Sequence, residues 1–324
     1  MLLQQPLPLK GLTLRNRIVM PPMATNKTLD GSPCAEQIAY YRERAKGTAL
    51  IIVEHAYVLP EGMAHGTQLS LADDRVIDGF RALTDAIHGE GCLAVAQLSH
   101  AGARALDSGL PVKAPSAIEA KAGGLALAMS EEDVARVTEG FTAAALRARR
   151  AGFDGVEIHS AHGYLLNQFY SPLTNLREDA YGAQSLEGRT RLHCEIIRAV
   201  RAAVGEDCPV AIRFGACDYR EGGSRIEEIP AAARIFERAG VDLVDISGGL
   251  CGYMLPGRGE SGYFRECSRA AKSALSVPVL LTGGVTTAQE MEELLASGDA
   301  DLVGVGRAML RDAHWSIRAL GPDV

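Results

Sequence analysis

The chain has 324 residues, with 33 Lys and Arg against 40 Asp and Glu, and a formal charge of −7. Its 47% hydrophobic and 23% charged residues are those of a packed protein, which excludes disorder as the main state. The acidic balance argues against a partner that is nucleic acid, and the length suits one large α/β barrel or two ordinary domains.

The start, MLLQQPLPLKGLTLRNR, has two prolines and no long apolar core, so no signal peptide is expected. No apolar run reaches the roughly 18 residues that cross a bilayer. Seven cysteines stand at 34, 92, 194, 208, 217, 251 and 267, an odd number with no C-x-x-C pair. That pattern suits free thiols in a cytoplasmic protein, not a disulfide framework, an iron–sulfur cluster or structural zinc.

Short apolar, β-branched runs then follow in order: 17–21, 49–54, 93–98, 155–159, 210–214, 243–247, 279–282 and 302–305. Their continuous hydrophobicity fits strands buried on both faces of a parallel sheet. Helical patterns lie between them at 76–90, 130–151, 186–204, 226–239 and 287–297. Ser130 with Asp133 reads as a capping box, and Gly152, Gly205 and Gly240 as helix stops. Eight strands alternating with helices, and no linker or low-complexity stretch, predict a (β/α)8 TIM barrel with an N-terminal hairpin and inserted βα loops, one domain over 1–324. Length beyond the about 250 residues of a plain barrel is concentrated around the fourth strand. No G-x-G-x-x-G follows a strand, which argues against a Rossmann site.

Active sites of such barrels sit at the C-terminal strand ends. The first strand ends in Pro21, Pro22, Met23, Ala24, Thr25 and Asn26, and the second in Glu54 and His55. The third carries Gln97, the fourth His159, His162 and Tyr164, and the fifth Arg213. The sixth ends in Ser247, Gly248 and Gly249, the seventh in Gly283 and Gly284, and the eighth in Gly306 and Arg307. The last two pairs have the pattern of a phosphate cradle, in which backbone N–H groups and an Arg fork hold the anion. The rival reading gives those glycines to tight turns alone. His159 and His162 lack a convincing third metal ligand, so no metal is expected; they suit a pair of N–H donors to an oxygen that gains negative charge. Tyr164, neutral at pH 7, can deliver a proton. The competing reading is that these are hydrogen-bonded core or loop residues. Arg213, among apolar neighbours, needs an anion: Glu157, Asp245 or an electron-rich ring.

These residues resemble the old yellow enzyme family of FMN-dependent ene-reductases. The resemblance runs from Asn16–Met23, through Gln97–Gly102 and the long stretch from Gly155 to Gly182, to Gly306-Arg307. It implies non-covalent, tightly bound FMN, with NAD(P)H as a transient hydride donor and an electrophilic alkene as substrate. It implies that Pro21, Pro22, Met23 and Ala24 pass beside the flavin ring, with His55 and Gly249 also at the cofactor. Gln97 would contact the pyrimidine edge, and Arg213 would stabilise negative charge at the N1/O2 end. Gly283, Gly284, Gly306 and Arg307 would hold the phosphate. His159 and His162 would bind the substrate carbonyl, with Asn26 and Tyr253 nearby, and Tyr164 would be the proton donor. The loop Gly248–Tyr263 would shape the pocket.

The family usually has Cys or Thr where Ala24 stands, and a small residue where His55 stands; Thr25 is the neighbouring hydroxyl able to substitute. No cysteine-rich cluster motif and no tail arginine of the kind that reaches a neighbouring subunit is seen, and a homo-oligomer is left open. The alternatives are an FMN barrel that acts on another electrophile or hands electrons to a protein, a non-catalytic flavin barrel, and a flavin-free aldolase or isomerase. No lysine lies on the eight strands, which argues against a Schiff-base aldolase.

Overall fold

A computed structural model describes residues 1–255 and 257–321. The chain opens with an antiparallel hairpin, β1 (Leu7–Leu9) and β2 (Leu12–Leu14), paired Leu7 to Leu14. The eight expected strands follow as β3 (Ile18–Met20), β4 (Leu50–Tyr57), β6 (Leu93–Ser99), β9 (Gly155–Ser160), β10 (Val210–Gly215), β11 (Leu243–Ser247), β12 (Val279–Thr282) and β13 (Leu302–Gly304). Each pairs in parallel with the next, and β13 pairs with β3 to close the ring. Three short strands lie in inserted loops: β5 (Leu69–Ser70), which extends the sheet beside the end of β4, and the parallel pair β7 (Lys113–Ala114) and β8 (Leu127–Ala128).

The helices that face the barrel are α1 (Ala35–Ala45), α2 (Ile77–His88), α3 (Glu131–Arg150), α4 (Leu165–Tyr170), α5 (Leu186–Val204), α6 (Ile229–Ala239), α7 (Arg265–Lys272), α8 (Ala288–Ala296), α9 (Arg307–Arg311) and α10 (Trp315–Leu320). Ser130 caps α3 as expected, its hydroxyl accepting from the Asp133 N–H. Gly152, Gly205 and Gly240 follow helices at φ of 90°, 83° and 118°, a backbone region open to glycine. The expected patterns correspond to α2, α3, α5, α6 and α8, and the longest helices outside them are α1 and α7. Their mean hydropathy is low, and each buries only three side chains against the barrel.

Strand alternation builds two separate cores. Outward residues such as Ile51, Val156, Ile212, Val244 and Leu281 pack under the helices. Inward residues Val19, Leu50, Ile52, Val95, Ala211, Leu243, Leu280 and Leu302 fill the barrel, and Leu9 and Leu14 of the hairpin join them. The next inward layer up is polar: Gln97, Glu157, His159, Arg213 and Asp245, all buried. The apolar layer thus closes one end, and the chemistry is confined to the other.

Three of the loops at that end meet at Gly215. A Cβ there would lie 2.9 Å from Ala161 Cα and Gly248 O, and 3.0 Å from Gly249 Cα. All three contacts are backbone, so no side chain can swing aside. Gly215→Ala should destabilise the protein by about 1–3 kcal/mol, measured by urea unfolding with an unchanged slope. Wild-type stability in that variant would contradict the packing described.

Candidate active site

The polar layer is set by register. Gln97 lies opposite Glu157, Arg213 opposite His159 on one side, and Arg213 opposite Asp245 on the other. Gln97 Nε2 donates to Glu157 Oε1 at 2.7 Å. Arg213 Nε is 3.4 Å from Asp245 Oδ2, within ion-pair range, yet neither atom has an aligned hydrogen bond. Glu157 Oε2 is likewise buried without a partner. Burial pushes both carboxyls above the usual range, the charge of Asp245 adds to this at Glu157, and Arg213 pulls both back. One guanidinium therefore serves two carboxyls and still has an unspent donor.

The His-Tyr residues converge at the mouth. His159, the fifth residue of β9, is buried, with Nδ1 unpartnered. His162 takes φ of 58° and Gly163 φ of 72°, a turn that reverses the chain into α4. His162 Nε2 hydrogen-bonds Ser247 Oγ at 2.7 Å. The rings of His159 and His162 are 5.3 Å apart, and those of His159 and Tyr164 4.8 Å. Desolvation holds both histidines well below their ordinary pKa, so both are neutral. Burial pushes the Tyr164 phenol up to about 12, against a lowering by Arg104. Tyr164 OH shares a 3.1 Å hydrogen bond with His55 Nε2.

His55 owes its position to a β-bulge. Val53 pairs with Ala96 and Ala56 with Leu98, so one extra residue is inserted at Glu54-His55. The bulge turns His55 toward Tyr164 and leaves Glu54 buried under the loop after β3. Glu54 accepts from Thr25 N at 2.8 Å, Thr25 Oγ1 at 2.7 Å, Gln37 Nε2 at 3.2 Å and Tyr41 OH at 3.2 Å. The Thr25 hydroxyl is thereby spent, and does not replace a hydroxyl or thiol at Ala24, which is exposed. Glu54 is a structural anchor that sequence reasoning passed over; its only signal was an acid at the end of an apolar run.

The remaining expected residues are placed as follows. Pro21 and Met23 lie beside Gly306, whose added Cβ would be 3.5 Å from Pro21 Cγ and 3.2 Å from Met23 Sδ; Pro22 stands between them. Gly284 has φ of 78°, and a Cβ there would meet the Tyr263 ring at 2.9 Å, so turn geometry and close packing both demand glycine. A Cβ added at Gly283 would lie 3.3 Å from the same ring. Arg307 is exposed at the start of α9, with no carboxylate partner among the described residues. Gly249 packs on Asp218, another buried carboxylate, whose Oδ1 also accepts from Leu250 N. Tyr253 brings its ring to 6.1 Å from that of His162. Asn26 is exposed at φ of 56°, and no hydrogen bond links it to the His-Tyr group. Pro256, inside the Gly248–Tyr263 loop, and positions 322–324 lie outside the described residues.

A barrel closed by eight parallel strands thus carries a buried polar belt and a mouth lined by two histidines and a tyrosine, and comparison with known proteins assigns the chain to a family. The family model described as NADH:flavin oxidoreductase / NADH oxidase matches residues 2–320, and the chain belongs to that family. It is 40% identical over 309 residues to an NADPH dehydrogenase of Halalkalibacterium halodurans, covering 94% of this chain and 90% of that protein. It is also 40% identical over 320 residues to an NADH oxidase of Thermoanaerobacter brockii, covering 95% of this chain; it spans about half (49%) of that relative's length. An old yellow enzyme homologue from Zymomonas mobilis superposes with a TM-score of 0.86 at 26% identity, over 99% of this chain and 93% of that one. The expected old yellow enzyme resemblance and the TIM barrel are both borne out. Among the described residues no helix is long and apolar enough to cross a membrane.

The buried imidazoles predict a pH dependence of stability. His55, His100 and His193 are lowered by desolvation to about 3, and His159 and His162 are lowered too. Below pH 6.5 the unfolded chain takes up protons that the folded one refuses, so stability falls as pH falls, by about 1.4 kcal/mol per pH unit for each such histidine. His88, raised by its bond to Asp154, and Glu157 and Asp245, raised by burial, work in the opposite direction, but the five histidines outnumber them. The melting temperature should drop clearly between pH 7 and pH 5. A flat profile would refute the neutral, buried assignment.

Proposed function

We propose that the protein is an FMN-dependent ene-reductase that uses NAD(P)H to reduce the activated C=C bond of an α,β-unsaturated carbonyl compound. The observation that carries this reading is the meeting of two neutral histidines and a protonated tyrosine at a barrel mouth, next to a buried arginine with an unspent donor.

The residues suit FMN. Arg213 Nε is orphaned in the interior, where an electron-rich ring edge would satisfy it. Gln97 stands across the belt, and Pro21, Pro22, Met23 and Ala24 edge the mouth where Gly306 leaves room. Gly283, Gly284, Gly306 and Arg307, which has no carboxylate partner among the described residues, would hold the phosphate. His55 and Gly249 would also stand at the cofactor. When bound, FMN supplies the two-electron chemistry, taking a hydride equivalent from NAD(P)H and delivering it to the alkene β-carbon. The chain's own residues do the rest. His159 and His162, being neutral, offer N–H donors to the carbonyl oxygen as it gains charge, and they avoid the cost of burying cations. Tyr164 stays protonated across the working pH range and gives its proton to the α-carbon, its hydroxyl held in place by His55.

The NADPH dehydrogenase relative supports the choice of donor. The purified protein should retain FMN without a covalent link, be bleached by NAD(P)H, and regain its colour with cyclohexenone. Tyr164→Phe should slow reoxidation by the enone by about 100-fold or more while flavin reduction stays within about twofold. Equal loss in both half-reactions would remove Tyr164 from proton donation, and a protein that cannot be loaded with FMN would sink the reading.

A further inference from the structure

A second constellation lies beside the His-Tyr group. The loops after β6, β9, β10 and β11 line an open cavity of about 580 Å³ at the barrel mouth. Arg104 and Lys121 line it from the loop after β6, and Arg220 from the loop after β10. None of these three side chains has an ion-pair or hydrogen-bond partner among the described residues. This contrasts with neighbours such as Arg136, paired with Glu61 at 2.9 Å, and Lys113, paired with Asp133. Glu119 is the one acid on the cavity wall, and it is not within ion-pair distance of any of them.

Arg104 is set against the His-Tyr group by its backbone. Arg104 closes a turn in which Gly102 takes φ of 58°. Buried Gln168 ties that turn to the loop after β9: it accepts from Ala103 N at 3.1 Å and donates to Ala101 O at 3.1 Å and to Gly163 O at 2.6 Å. The Arg104 guanidinium lies against Gly163, where a Cβ would come within 2.7 Å of Nε. The cavity therefore begins between His162 and Tyr164. In a chain of net charge −7, three gathered and unpaired cations repel one another and contribute nothing evident to folding. Their number suits a multivalent anion better than a single carboxylate.

We propose that this cavity binds the phosphorylated arm of the molecule whose reactive head sits at His159 and His162, either the diphosphate of a nicotinamide dinucleotide or the phosphates of a coenzyme A thioester. The inference rests on the function proposed above for the head group. The three residues are exposed, so their replacement leaves the packing intact.

The test uses the FMN-loaded protein and the variant Arg104→Gln/Lys121→Gln/Arg220→Gln. Stopped-flow flavin reduction gives Kd for NADPH, NADH and the uncharged donor N-benzyl-1,4-dihydronicotinamide; reoxidation compares crotonyl-CoA with cyclohexenone. Calorimetry with ADP-ribose reads binding without turnover. If the dinucleotide is the source, the variant should bind NADPH, NADH and ADP-ribose about tenfold more weakly and the uncharged donor within about twofold. Wild-type affinity for the dinucleotides should also fall as salt rises. Weakening confined to crotonyl-CoA assigns the arm to the acceptor. Unchanged affinity of the variant for NADPH, NADH, ADP-ribose and crotonyl-CoA overturns the proposal. Failure of all three donors to reduce the flavin, with ADP-ribose still sensitive to the variant, would refute the functional reading and leave the cavity assignment standing.

Discussion

The site depends on one buried guanidinium that shares a polar layer with two buried carboxyls inside a closed barrel. Arg213 reaches Asp245 across one strand pair, while Glu157 is carried by Gln97 across another. A buried charge of this kind is costly unless its donors are used. No acceptor comes from beneath, because that layer is wholly aliphatic, from Val19 to Leu302. The open side is the mouth. Under the proposed function, the same guanidinium that makes the interior expensive creates the demand that FMN meets.

The two imidazoles follow from the same enclosure. His159 shares the inner face with Glu157 and sits opposite Arg213 in the register, so desolvation and a nearby cation both keep it neutral. His162 reaches the mouth through a left-handed turn that only the following Gly163 and the Gln168 bonds make affordable. A neutral pair can donate to an oxygen that becomes negative, without a charge of its own to desolvate beforehand. The elements that place the pair are therefore strand pairing and a backbone turn, not the histidines' own hydrogen bonds.

Much of this was legible in the sequence. The eight apolar runs match eight strands with ends displaced by at most a few residues, because buried parallel strands have no polar face to blur their pattern. The strand-end rule then brought Gln97, His159, His162, Tyr164 and Arg213 to one place. Three things escaped. The second strand runs on to Tyr57, because a bulge at Glu54-His55 interrupts the alternation that marks a strand. The network of Glu54 with Thr25, Gln37 and Tyr41 joins residues from three elements, which no local window contains. The cations at 104, 121 and 220 are far apart in the chain, and only the fold brings them to one cavity.

Under the proposed function, Arg213 receives the flavin's electron-rich edge. Its most direct test is the midpoint potential of bound FMN in wild type and in Arg213→Gln, each reconstituted and titrated at pH 7. The account predicts a more negative potential in the variant, by about 30 mV or more, which for a two-electron couple corresponds to about 1.4 kcal/mol of lost stabilisation of the reduced form. An unchanged or more positive potential in a variant that still binds FMN would contradict it.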